Sequence, residues 1–209
     1  MSISIKRNDK PVIEFWFDFG SNYSYLSAMR IEALAAAAGI AIAWKPFLLG
    51  VIYRELGWKE APFLAQPEKG RYAWLDTKRQ ARKYGIEFKQ PSTFPRVAVL
   101  PSRVAILGAD QPWIAAFCKN VMRQNWVEDR DINEPAQVLS ALSGLVDDPK
   151  HVLDAAQEEA SKLKLREQTQ QAREKGIFGA PTFFVHDEIF WGDDRLEDAI
   201  HCLIHPPRT

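Results

Sequence analysis

Three short segments carry the residues whose types and spacing point to chemistry. The first is Asp18-Phe-Gly-Ser-Asn-Tyr-Ser-Tyr25, where an apolar strand pattern breaks at Gly20 and a helical pattern begins. Backbone N–H groups at a helix N-terminus stabilise an anion, and a hydroxyl placed there adds one more donor. Ser21 is placed to be that hydroxyl, and the same position suits Ser21 or Ser24 to cap the helix. Asp18, at the strand end, reads as a structural carboxylate that accepts backbone hydrogen bonds. The second segment is Gly176-Ile-Phe-Gly-Ala-Pro-Thr-Phe-Phe-Val185, with Pro181 at a strand entrance. Proline there removes one ladder donor and fixes φ. A cis Ala180-Pro181 bond turns the N–H and C=O of Ala180 outward as a miniature strand edge for an extended peptide; a trans bond simply starts an edge strand. The third is Trp191-Gly-Asp-Asp-Arg195, between a strand and the last helix. Asp193 or Asp194 either caps that helix or, with nearby N–H groups, holds the α-amino and α-carboxylate end of a ligand.

Composition narrows what such a site can serve. The chain has 209 residues, is 46% hydrophobic, and carries 27 Lys+Arg against 27 Asp+Glu, so its formal net charge is zero. That balance argues against nucleic acid as a partner. No apolar run approaches the ~20 residues of a membrane span. The first residues lack the apolar stretch of a secretory signal, and a cytoplasmic protein is the simplest account. Cys118 and Cys202 lie far apart. They make neither a disulfide framework nor a metal-ligand cluster, and both read as core residues of helices.

The elements that must position these segments follow from periodicity. Pro11 to Phe19 reads as a strand covered on both sides, with Ile13, Phe15, Phe17 and Phe19 on one face and Val12, Glu14, Trp16 and Asp18 on the other. A helix from Tyr23 to Ala38 stops at Gly39, and a second strand runs from Ile40 to Phe47, which makes a parallel βαβ unit. Helical stretches punctuated by Pro and Gly then run to about residue 147. Helices are expected over 70–84, from near Val99, and from Asp110 to Trp126, with Asn133 and Asp148 as further caps. A polar helix over 161–175, a hairpin of Thr182–His186 with Ile189–Trp191, and a helix over 195–203 close the chain. The order β-α-β, helical insert, α-β-β-α predicts an α/β protein: a thioredoxin-like fold interrupted by a large all-helical insertion. Residues 1–48 with 160–209 would form the first domain and 49–159 the second. In that fold a cis-proline lends its neighbour's backbone to a bound thiol compound, yet the chain has no Cys-x-x-Cys pair for disulfide exchange.

Phe17-Asp-Phe-Gly-Ser-Asn-Tyr-Ser-Tyr-Leu26, Phe178-Gly-Ala-Pro-Thr-Phe183 and Trp191-Gly-Asp-Asp-Arg195, taken in order, resemble the 2-hydroxychromene-2-carboxylate isomerase family. That family is close to the kappa-class glutathione transferases and more distantly similar to DsbA. The resemblance spans nearly the whole chain, with Asn22 standing where relatives often carry proline. It implies glutathione as cofactor, with Ser21 on its sulfur, Ala180 beside Pro181 on its cysteinyl backbone, and Asp193 and Asp194 on its γ-glutamyl end. Phe47-Leu-Leu-Gly50 and Lys69-Gly-Arg-Tyr-Ala-Trp74 resemble segments that line the family's pocket, which places Asn22, Phe47, Trp58, Lys69 and Trp74 around the second substrate. Trp58 and Val97 stand where many relatives have asparagine.

The implied activity is isomerisation of a 2-hydroxychromene-2-carboxylate type of aromatic catabolite by reversible thiolate addition, without a metal, in a homodimer. A kappa-like glutathione transferase with a detoxification role and a non-catalytic thioredoxin-like binding protein are the alternatives. The first two share the thiolate site and part only at the second-substrate pocket.

Overall fold

The structure is a computed structural model that describes residues 10–58 and 61–206. Strand β1 (Val12–Phe17) leads into helix α1 (Asn22–Ala38), which returns the chain to strand β2 (Ala41–Pro46). The link closes at Gly39, whose φ of +69° suits a residue without a side chain; its N–H reaches the carbonyls of Ala35 and Ala36. β1 and β2 pair in parallel, Val12 opposite Ala41 and Phe17 opposite Pro46. Much later in the chain, β3 (Thr182–Val185) pairs antiparallel with β1, Phe15 opposite Phe183, and β4 (Glu188–Trp191) pairs antiparallel with β3. The sheet order is β2-β1-β3-β4, so the expected parallel unit and hairpin meet in one mixed sheet.

The alternation along β1 divides the interior. Ile13, Phe15 and Phe17 face α1 and the last helix, α10 (Leu196–Ile204), in the main core. Phe15 stacks on Phe183 at 5.4 Å between ring centroids. Trp16 points the other way, into a smaller cluster with Phe47, Ile52, Ala172, Ile177 and Phe184. Helices α2 (Leu49–Glu55) and α9 (Glu159–Glu174) supply the cover for that face. A sheet covered on both sides accounts for the near-continuous apolar text of β1.

Between these elements lie α3 (Pro62–Ala65), α4 (Pro67–Tyr84), α5 (Val99–Leu107), α6 (Ile114–Trp126), α7 (Pro135–Leu142) and α8 (Pro149–Gln157). The apolar faces of α4 to α8 join the main core: Phe117, Val121, Trp126, Leu142 and Leu153 belong to the same cluster as Phe15 and Ile31. The fold is thioredoxin-like with an all-helical insertion.

Several boundaries differ from the sequence expectation for identifiable reasons. α4 begins at Pro67, whose ring suits a first turn. The helix expected from Asp110 begins at Ile114, because the preceding turn folds the Trp113 indole over Gly108; a Cβ at Gly108 would lie 2.2 Å from that ring. Asn133 does not cap α7. Its Oδ1 accepts the Leu100 N–H at 3.0 Å and so serves the first turn of α5. Asp148 does cap α8, accepting the His151 N–H at 2.9 Å.

Candidate functional site

The carboxyl end of β1, the N-terminus of α1, α2, α4 and the turn before β3 enclose a cavity of about 890 Å³. Its walls include Ser21, Ala180, Asp193 and Asp194, so the three separate motifs converge on one space. Trp58, Lys69 and Asn22 border it as well.

Ser21 adopts extended backbone angles and is the N-cap of α1, its Oγ accepting the Ser24 N–H at 3.1 Å. The same hydroxyl donates to the Ala180 carbonyl at 2.9 Å. Capping and site membership are therefore one arrangement, since the cap turns the hydroxyl toward the cavity. The Ala180-Pro181 peptide is cis. Ser24 is buried, and its hydroxyl accepts the Asp18 N–H at 3.5 Å.

Asp18 fastens two walls together. One carboxylate oxygen accepts the Gly20 N–H at 2.7 Å and the other accepts the Leu49 N–H at 2.8 Å. Burial pushes this carboxyl above the usual carboxylate range, against the opposing pull of those two N–H donors. The loop before α1 and the first turn of α2 are thus pinned to one side chain. Asn22 performs a parallel task for α4: its amide donates to the Thr77 hydroxyl, which donates to the Ala73 carbonyl at 2.8 Å.

The two aspartates of the third motif behave differently. Asp193 is buried, with Oδ1 accepting from the Ser27 hydroxyl and the Arg30 guanidinium, each at 2.9 Å. Burial raises its pKa and Arg30 opposes the rise. Asp194 is exposed and pairs with the neighbouring Arg195 at 2.9 Å. Neither caps α10, whose N-cap position is Arg195 with no side-chain cap; a short 3-10 turn over Asp193–Arg195 precedes it. Gly192 enters that turn at φ +114°, and a Cβ there would fall 2.6 Å from the Asp194 carboxylate. This geometry excludes the capping role for both residues.

Two residues expected around the second substrate lie elsewhere. Phe47 is fully buried in the smaller cluster, because β2 ends by turning its ring against Trp16. Trp74 packs edge-on to Phe94 at 4.8 Å and near Phe88 and Trp126, behind the cavity wall that Phe94 forms. The walls also hold residues outside the expected set. Tyr53 and Arg54 face the cavity from α2 together with Leu49 and Gly50, a spacing that a helix beginning at Leu49 places on one face. Phe178 and Trp191 form an edge-to-face pair at 4.8 Å on another wall. The Trp191 indole lies over Gly179, where a Cβ would meet its Nε1 at 2.2 Å. Arg96 also borders the cavity, with its guanidinium held by Asn125 and Asp129.

A mixed sheet with a helical insert, and a hydroxyl at the α1 N-terminus facing a cis-proline turn, define a DsbA-type thioredoxin-like protein. The family model of the DSBA-like thioredoxin domain matches residues 12–201. A 2-hydroxychromene-2-carboxylate isomerase of Sphingobium xenophagum is 31% identical over 196 residues, covering 88% of this chain and 94% of that protein. The chain belongs to the 2-hydroxychromene-2-carboxylate isomerase family within the DSBA-like thioredoxin domain proteins. A solved 2-hydroxychromene-2-carboxylate isomerase superposes with a TM-score of 0.80 at 28% identity, over 92% of this chain and 95% of that one. A glutathione S-transferase kappa 1 of Rattus norvegicus is 26% identical over 206 residues, covering 92% of this chain and 90% of that protein.

Proposed function

We propose that the protein is a glutathione-dependent isomerase of 2-hydroxychromene-2-carboxylate type, acting in the catabolism of aromatic compounds. The observation that carries this reading is the Ser21 hydroxyl, seated at the N-terminus of α1 and 2.9 Å from the Ala180 carbonyl in the shared cavity. The donor set fits a tripeptide thiol. Ala180 offers backbone to the cysteinyl unit, Ser21 offers a hydroxyl to the sulfur once its proton turns away from the Ala180 carbonyl, and Asp194 offers a carboxylate to the γ-glutamyl ammonium. Asp193 contributes by holding the turn in place through Arg30 and Ser27. Lys69 and Arg54 border the same cavity and make no ion pair with a described residue, which supports a ligand rich in carboxylates.

When bound, glutathione supplies a thiolate that adds reversibly to a conjugated double bond, frees rotation about it, and leaves again. The chain's part is to favour the ionised sulfur. A thiol with pKa near 8.5 is mostly protonated at neutral pH, and each unit of lowering needs about 1.4 kcal/mol of selective stabilisation. A hydrogen bond from Ser21 together with the α1 N-terminus is of that order. A kappa-like transferase is the second reading, favoured by the rat relative, and differs only in the second substrate. Titration calorimetry with glutathione, followed by the spectrophotometric isomerisation of 2-hydroxychromene-2-carboxylate, tests both. Heat of binding with turnover supports the isomerase; binding with conjugation of electrophiles and no isomerisation supports the transferase; absence of binding removes both. The family resemblance also carries a homodimer, which sedimentation checks.

A further inference from the structure

Two tyrosines border the cavity, and among the described residues only one has a partner for its hydroxyl. The Tyr23 hydroxyl donates to Asp76 at 2.8 Å, so its proton is spent within the wall. Tyr53 makes no side-chain hydrogen bond with a described residue, and its ring is half-buried on the cavity face of α2. Its placement is not accidental to the thiol end of the cavity. The first turn of α2 hangs from the Asp18 carboxylate through the Leu49 N–H, and that carboxylate also holds Gly20, the residue before Ser21. Ser21 and Tyr53 are thereby fixed against a common anchor. A second tie, from the Leu48 N–H to the Thr169 hydroxyl at 3.2 Å, steadies the start of α2 from α9.

We infer that the Tyr53 hydroxyl is a catalytic hydrogen-bond donor to the carbonyl oxygen of the second substrate, the atom that gains negative charge as sulfur adds to the conjugated system. The inference rests on the isomerase reading and names a residue for it. Charge arrives on the substrate oxygen with the sulfur and departs with it, so Tyr53 starts and finishes protonated and no redox partner is needed. Burial, and then the nearby Asp18 charge, push the Tyr53 pKa up to about 12. The phenol thus keeps its proton at neutral pH. A donor placed at a developing oxyanion is a large contributor to rate, and losing one typically costs about 100-fold or more in turnover.

The test uses Tyr53→Phe in the full chain, which keeps the ring and its packing. 4-Nitrophenolate serves as a planar, delocalised aromatic oxyanion, read by calorimetry and by the shift of its absorption band. The wild type is expected to bind it at least about tenfold more tightly than the variant and to shift its band, the value of a hydrogen bond to a charged acceptor. Turnover of 2-hydroxychromene-2-carboxylate should fall about 100-fold in the variant, with glutathione affinity unchanged. Equal probe affinity and equal band position in the two proteins would overturn the role of Tyr53, whether or not the enzyme isomerises. A variant that loses probe affinity in a protein whose wild type shows no isomerisation supports the oxyanion site and overturns the isomerase reading instead.

Discussion

Ser21 and Ala180, separated by 159 positions in sequence, meet through a 2.9 Å hydrogen bond from the serine hydroxyl to the alanine carbonyl. The two halves of the proposed thiol site are therefore held in contact by their own functional groups. Ser21→Ala removes the α1 cap and this tie together. We expect a stability loss of about 1 kcal/mol from the cap alone. We expect turnover to fall at least tenfold while glutathione affinity falls less, since backbone contacts remain. Urea titration and steady-state kinetics on the same variant measure both; wild-type turnover would reduce Ser21 to a cap.

Arg30 and Asp193 predict a structural effect. Their side chains are 11% and 3% exposed, and Arg30 also stacks over the Tyr84 ring at 3.7 Å. Arg30→Ala strands a buried carboxylate, and the expected destabilisation is on the order of 3 kcal/mol. Chemical denaturation reports it directly, and a change below about 1 kcal/mol would refute the assignment.

Asp194 should behave in the opposite way. Its carboxylate is exposed and its partner Arg195 has a second acceptor in Asp198 at 2.7 Å. Asp194→Asn is expected to leave the denaturation midpoint unchanged and to weaken glutathione binding about tenfold, the loss of one charge-assisted contact. Calorimetry settles it, and unchanged affinity would take Asp194 out of the γ-glutamyl site.

Asp18 supplies a pH-dependent expectation. Its folded-state pKa is raised, chiefly by burial. A raised carboxyl binds its proton more tightly when folded, so its contribution is full below the unfolded pKa and is lost as pH climbs through the folded one. Asp18→Asn cannot accept from both Gly20 and Leu49, which costs roughly 1–3 kcal/mol. That deficit relative to wild type should narrow as pH rises above about 4, the unfolded pKa of Asp. Thermal melts of both proteins from pH 4 to pH 8 follow the gap; a widening gap would contradict the sign.

Much of the fold was legible because its signals are local. The alternation of Ile13, Phe15 and Phe17, the stop at Gly39 and the cap at Asp148 each depend on a few neighbouring residues. The convergence of the three motifs was legible only through order and resemblance, since no local rule brings Ser21 to Ala180. What escaped depended on tertiary partners. Whether Asp193 faces a ligand or Arg30 is decided by a helix 163 residues away. Phe47 and Trp74 read as wall residues through the resemblance of their segments to ones that line the family's pocket, and a resemblance does not fix which side of a helix or strand an aromatic ring fills. Tyr53 had a signal, its helical spacing from Leu49, that becomes readable once the start of α2 is fixed.

The half-exposed indole of Trp191, seated over Gly179 one residue before Ala180, has an optical consequence. Among seven tryptophans, Trp16, Trp44 and Trp126 are buried in the core. Trp191 sits where a thiol compound bound at the proposed site would alter local polarity. The protein thus carries an intrinsic fluorophore at the edge of its own site, and emission lost in Trp191→Phe isolates occupancy of the Ala180 edge without any added dye.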